Sequence, residues 1–291
     1  MSLIRRISVM YRVHVTAWSV VAALFALAQQ ARAGWVIDQT VKGGGEGAQQ
    51  QVLIQADRMK TLVFGEDGKP AVAFMLDLDA QTITQVDYER RHYVTSTVQE
   101  FVQVMRGAME LGAEQMAQAM KQMQDALKDM PPEQRKMMEE MMHSRMPQVE
   151  PGAETCREPR TELKKTGQQA TIAGYSAVRY DVLADGTLET ELWIAKGITA
   201  WRELDPKKLE RLSAEMAKLA GCGPGKGRRG LPAHDPAWKL AHEGYPVRVV
   251  TGGGGEVTVE VVKAESRAIS AAEFQPPAGF ARKSPREMIG Q

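Results

Sequence analysis

The chain has 291 residues and a mass of 32.1 kDa, with 43% apolar and 25% charged side chains. That is too apolar for disorder, long enough for one large or two modest domains, and unlike collagen, a coiled-coil rod or a multispan membrane protein. Lys and Arg number 37 against 36 Asp and Glu, but the first 33 residues hold Arg5, Arg6, Arg12 and Arg32 and no acid. Without them 33 basic side chains face 36 acidic ones, a balance of −3, which argues against nucleic acid as a partner.

Arg5, Arg6, Arg12 and His14 precede an apolar run over residues 15–28, and Ala31-Arg32-Ala33 stands before Gly34. A basic start, a short apolar stretch and A-x-A are the parts of a secretory signal, with cleavage expected between Ala33 and Gly34. The run is too short to cross ~30 Å of hydrocarbon, so no stable membrane insertion is expected after cleavage. The mature protein is expected to be periplasmic or secreted. Cys156 and Cys222 are the only cysteines and neither lies in a C-x-x-C, which excludes a thiol oxidoreductase or zinc-ribbon reading. In an exported chain they are expected to pair as a structural disulfide, with two free thiols as the alternative.

After Gly34 the pattern is strand-like. Short extended segments are expected at 35–41, 51–55, 59–64, 71–76, 81–86 and 92–95, with turns at 66–69 and 77–80, together an antiparallel meander. The period then changes. Thr97-Val-Gln-Glu100 has the spacing of a capping box and opens a helix to Met130, which Pro131-Pro132 ends; a second helix is expected over 133–145. Strands resume at 160–165, 171–172, 176–183 and 188–195, around the hairpin signal Asp185-Gly186. Asp205 and Pro206 are placed to cap and start a helix running to Gly221, and 245–250 with 257–262 form a last hairpin. The whole reads as one α+β domain over 34–291, with residues 1–33 as signal and 97–146 as a helical insert.

The segment Thr166-Gly-Gln-Gln-Ala-Thr-Ile-Ala-Gly-Tyr-Ser-Ala-Val-Arg-Tyr180 resembles a recurring G-x-x-x-x-I-A-G-Y-x-A-x-x-Y block. The stretch Ala272-Glu-Phe-Gln-Pro-Pro-Ala-Gly-Phe280 resembles an F-x-x-P-x-G-[YF] ending. Both blocks belong to a bacterial exported family carrying the label domain of unknown function 4412. That family is similar in outline to periplasmic lipoprotein carriers, so the resemblance implies a curved antiparallel sheet, a half-open β-barrel closed by helices. It supplies no catalytic residues, and the Met-rich insert has no assigned counterpart in it.

Methionine is the most unusual feature. Eleven of 17 Met lie between 105 and 146. Met109, Met116, Met123, Met130 and Met137 recur every seven residues, with Met105 and Met120 alongside, so a helix would carry one stripe. Packing of that stripe on the sheet or a neighbouring helix is one reading. The other is an adaptable surface, because Met is unbranched and polarizable and re-packs around varied partners. Met105, Met109, Met116, Met120 and Met123 are then the candidate contacts for a hydrophobic ligand or an exported partner's apolar segment. Thioethers also bind Cu(I), and Met137, Met141 and His143 form the alternative metal set. A third reading is assembly through the Met helices. The order of residues around Ser176 lacks the second Gly of a nucleophile elbow, and the Gly-rich loop at 221–230 follows a helix and has Gly227 where Ser or Thr should hold Mg²⁺. No enzyme and no cofactor are expected.

Overall fold

A computed structural model describes residues 33–43, 47–128, 160–217, 240–252, 257–285 and 287. Six strands come first: β1 (Ala33–Lys42), β2 (Ala48–Gln55), β3 (Arg58–Phe64), β4 (Pro70–Asp77), β5 (Thr82–Asp87) and β6 (His92–Thr97). Helix α1 (Val98–Lys128) follows, then β7 (Thr161–Ile172), β8 (Tyr175–Ala184) and β9 (Thr187–Ala195). A 3-10 turn (Ala200–Glu203) leads into α2 (Pro206–Ala217); β10 (Tyr245–Thr251), β11 (Val257–Ala268), a second 3-10 turn (Ala271–Phe274) and β12 (Ala281–Lys283) complete the chain.

All twelve strands form one sheet, in the order β12-β6-β5-β4-β3-β2-β1-β11-β10-β9-β8-β7. Two antiparallel meanders are welded where β1 pairs with β11, and only β12, parallel to β6, departs from that pattern. Tight turns set the register. Asp185-Gly186 and Ala56-Asp57 both hold two successive residues at positive φ, as a two-residue hairpin needs. Strand β7 is longer than its sequence pattern suggested. Its two expected pieces join through an irregularity between Lys165 and Gln169, where Gly167 takes φ +78° and Thr166 Oγ1 donates to the Arg179 carbonyl.

The sheet curls without closing, since β7 and β12 are its edges among the described residues. Tyr175 at the start of β8 donates its hydroxyl to the Ala264 carbonyl of β11 at 3.0 Å. Three strand spacings separate those strands, about 14 Å in a flat sheet, so only a curved sheet brings the groups together. The concave face holds the main core: Ile37, Ile54, Ala177, Ala195, Val247 and Val261, capped by Ile198, Ala200, Leu204 and Leu209 from the first 3-10 turn and α2. The convex face of β1–β6 is crossed by the C-terminal segment. Ile269 and Phe274 pack on Val36 and Leu53, and Phe280 packs near Met75 and Val86. Tyr180, Val182, Leu192, Ile194 and Leu240 make a separate cluster on the other face of β8 and β9.

Both helix starts are built as their sequences foretell. Glu100 N–H donates to Thr97 Oγ1 at 3.1 Å while Thr97 N–H donates to Glu100 Oε2 at 2.9 Å, a reciprocal capping box. Asp205 Oδ1 accepts from the Lys207 and Lys208 amides. The β2–β3 turn then clamps α2 to the sheet. Asp57 Oδ1 accepts from the Asp205 amide and Oδ2 from Lys208 Nζ, each at 2.5 Å, and Lys208 also reaches Asp79. Asp77 and Asp79 are thus a turn: Asp77 Oδ1 holds the Ala80 amide.

The expected second helix at 133–145 lies outside the described residues, as do residues 1–32 of the expected signal and both Cys156 and Cys222. No described helix is long and apolar enough to cross a membrane.

Candidate functional site

Among the described residues two apolar surfaces stay uncovered, and each arises where the covering elements stop while the apolar periodicity continues. The first lies on the concave face. Met59 pairs with Leu76 and both pack on the main core, so two-residue alternation puts Thr61 and Val63 of β3, and Val72 and Phe74 of β4, on the same face. The capping 3-10 turn and α2 stop short of this end. Val63 and Val72 are half-buried and Phe74 is 43% exposed. Cross-strand pairs extend the surface to Gln50 on β2 and Gln85 on β5.

Polar groups floor this region. Gln50 donates to Gln39 Oε1 at 2.7 Å, and Gln39 donates to the buried Tyr245 hydroxyl at 3.1 Å. Burial drives the Tyr245 phenol far above its ordinary pKa, with the Gln39 hydrogen bond only partly offsetting it, so the hydroxyl stays neutral. Trp201 stacks on Tyr245 with ring centroids 5.4 Å apart. Among the described residues every buried side-chain nitrogen and oxygen has a partner, so this network is structural glue at the edge of an apolar surface.

The second surface is α1. Val98 and Val102 are buried at its start, where the helix meets β5, β6 and α2. Val104, Met105 and Ala108 are half-buried. Beyond them the helix is largely exposed among the described residues. Met109 is 39%, Leu111 55% and Met116 64% exposed, among Glu110, Glu114, Gln115 and Lys121, which are exposed too. Met109 and Met116 are therefore exposed among the described residues and lie outside the main core. Of the five candidate contacts, the structure places Met105 at the foot of the helix and Met109 and Met116 along its exposed stretch. The side chains of Met120 and Met123 lie outside the described residues, as do Met137, Met141 and His143. Among the described residues no three His, Cys, Asp or Glu side chains gather at one point.

Phe74, Val63 and Val72 escaped the sequence reading. Their segments alternate like any half-buried strand, and nothing local says which face a helix will cover. Ser176 is exposed within β8, on a regular strand and off any strained turn.

The family model described as domain of unknown function (DUF4412) matches residues 102–280. The chain belongs to that family. The matched span opens inside α1 and takes in the Met-rich insert, whereas β1–β6 precede it. The chain is similar in structure to an uncharacterized conserved protein from Thermus thermophilus, at 9% identity and a TM-score of 0.42, covering 91% of this chain and 99% of that one. It is also similar to PNGF-II, at 10% identity and a TM-score of 0.38, covering 89% and 33%. It is similar as well to MucB in complex with MucA(peri), at 10% identity and a TM-score of 0.37, covering 89% and 60%. This chain thus spans a third of PNGF-II and 60% of MucB. No curated protein matches the sequence.

Proposed function

We propose that this is an exported, non-catalytic protein that binds a hydrophobic, lipid-like ligand or the apolar segment of another exported protein, with the methionines of α1 as the adaptable contact. The observation that carries the reading is the exposure of Met109 and Met116, seven residues apart on one helical stripe, on a helix whose foot is firmly packed by Val98 and Val102. Exposed apolar side chains along one anchored element are what a docking surface requires, and thioether side chains adapt to occupants of different shape. The half-covered rung at Val63, Val72 and Phe74 adds apolar area on a sheet that stays open. The basic, then apolar, residues ahead of β1 support export.

The test is native mass spectrometry of the purified protein, with organic extracts analysed in parallel, alongside titration with a hydrophobic dye. Lipid is expected to co-purify, and dye affinity is expected to fall severalfold in a Met109→Gln/Met116→Gln variant. Because both side chains are exposed, the variant should keep its stability to within about 0.5 kcal/mol. No bound lipid together with unchanged dye binding would sink the proposal.

A further inference from the structure

A cleft opens on the convex face where the C-terminal segment crosses the first meander. Strand pairing places Arg58, Asp77 and Thr82 on one rung of this face, and Met75, Thr84 and Thr95 on the next. Phe274, Gln275 and Pro276 pass beside them and complete a cleft of about 200 Å³. Arg58 and Asp77 are directly opposite each other, yet among the described residues neither makes an ion pair. Arg58 instead lies 4.9 Å from the Phe274 ring centroid, and Asp77 Oδ1 accepts from the Ala80 amide. Thr84 Oγ1 and Thr95 Oγ1 are 2.8 Å apart. One of these hydroxyls donates to the other, so the pair keeps one O–H and further lone pairs for an outside partner. Thr82 lines the cleft with a third hydroxyl, and Met75, Phe274 and Pro276 supply an apolar wall.

This lining selects among ligands. It holds one cation and one anion, so an anionic ligand drawn to Arg58 is repelled by Asp77, and a cationic one meets the reverse. A neutral molecule bearing several hydroxyls satisfies both groups, because each hydroxyl donates and accepts. The threonine hydroxyls are further partners of the same kind, and the apolar wall suits the C–H face of a ring. At ~30 Å³ per water the cleft has room for about seven waters, less than the roughly 300–1,000 Å³ of sites for drug-sized ligands. One small ring is the size that fits. We propose that this cleft binds a neutral monosaccharide, independently of the Met-bearing surface of α1.

The test is saturation-transfer NMR on the purified protein with D-glucose, D-galactose, D-mannose and N-acetyl-D-glucosamine as probes. Glycine serves as the zwitterionic control and acetate as the anionic one. Transfer to the ring protons of at least one sugar is expected, and none to either control. Thr84→Val/Thr95→Val should weaken sugar binding about fivefold or more. It removes both partners of one hydrogen bond and orphans neither, so the melting temperature should stay close to the parent's. Arg58→Met, which keeps a long side chain without its charge, should also weaken binding, and it decides the matter should the double variant not fold. No transfer to any of the four sugars, undiminished affinity in either folded variant, or binding of glycine or acetate in place of sugar overturns the proposal.

Discussion

Asp57 shows how one side chain joins distant parts of the chain. It sits at φ +61° in a two-residue turn, and its carboxylate holds the Asp205 amide and Lys208 Nζ, some 150 positions away. Desolvation pushes its pKa up, but the Lys208 and Asp205 hydrogen bonds outweigh it, and the folded carboxyl titrates below the ordinary 3.8. The clamp therefore contributes its full stability above that value and loses it as pH falls through the lower, folded value. Asp57→Ala should cost about 1 kcal/mol at pH 7, the partial exposure of the pair keeping the effect modest. Urea titrations from pH 7 down to pH 2 should show the difference between variant and parent shrinking toward the acid end; a difference that stays constant would exclude this clamp. None of this was visible in the sequence, where Asp57 merely stands between two expected strands.

The C-terminal segment is the element whose role depends most on its surroundings. From Ile269 to β12 it crosses the convex face, and three cations of the sheet hold it. Arg58 lies 4.9 Å from the Phe274 ring centroid, Arg91 lies 5.4 Å from that of Phe280, and Lys60 Nζ donates to the Glu273 carbonyl at 2.9 Å. Phe274 is buried, so Phe274→Ala should destabilise by roughly 3–5 kcal/mol, read as a lower midpoint in urea. Lys60 is expected to behave in the opposite sense. Burial holds its pKa below 10.5 despite the Glu273 charge, so below the folded pKa its protonation favours the unfolded chain. Lys60→Met should then be neutral or stabilising at pH 7, its advantage shrinking as pH rises toward 10.5; a large loss of stability would refute that account. The F-x-x-P-x-G-F run marked this stretch as part of a family pattern, but its position across the face came only with the fold.

At the scale of the whole molecule, the open sheet leaves β7 as a long edge, a hazard that the chain meets with charge and irregularity. Glu162 and Lys164 are exposed along it, and the break at Thr166-Gly167 interrupts its ladder. Replacing Glu162 and Lys164 by Val should produce concentration-dependent self-association in size-exclusion and light-scattering measurements, with the melting temperature little changed; a variant that stays as dispersed as the parent would show that charge is not what protects this edge. The same openness leaves Phe74 half uncovered, and a closed barrel would have removed both features.

The α+β class, the antiparallel meanders, both helix starts and the Met stripe were legible in the chain's local pattern, because alternation, capping and turn chemistry act over a few neighbouring residues. The capping box at Thr97 and Glu100 and the turn at Asp185-Gly186 appear in the structure as their spacing implies. Tertiary structure decided what local pattern leaves open. It set which strands meet, joining β1 to β11 across more than 200 positions, and where the covering elements stop. Met105, Met109 and Met116 share one helical stripe, yet the first is half-buried and the other two are exposed. Periodicity assigns a face to a helix; only the packed neighbours decide how much of that face they cover.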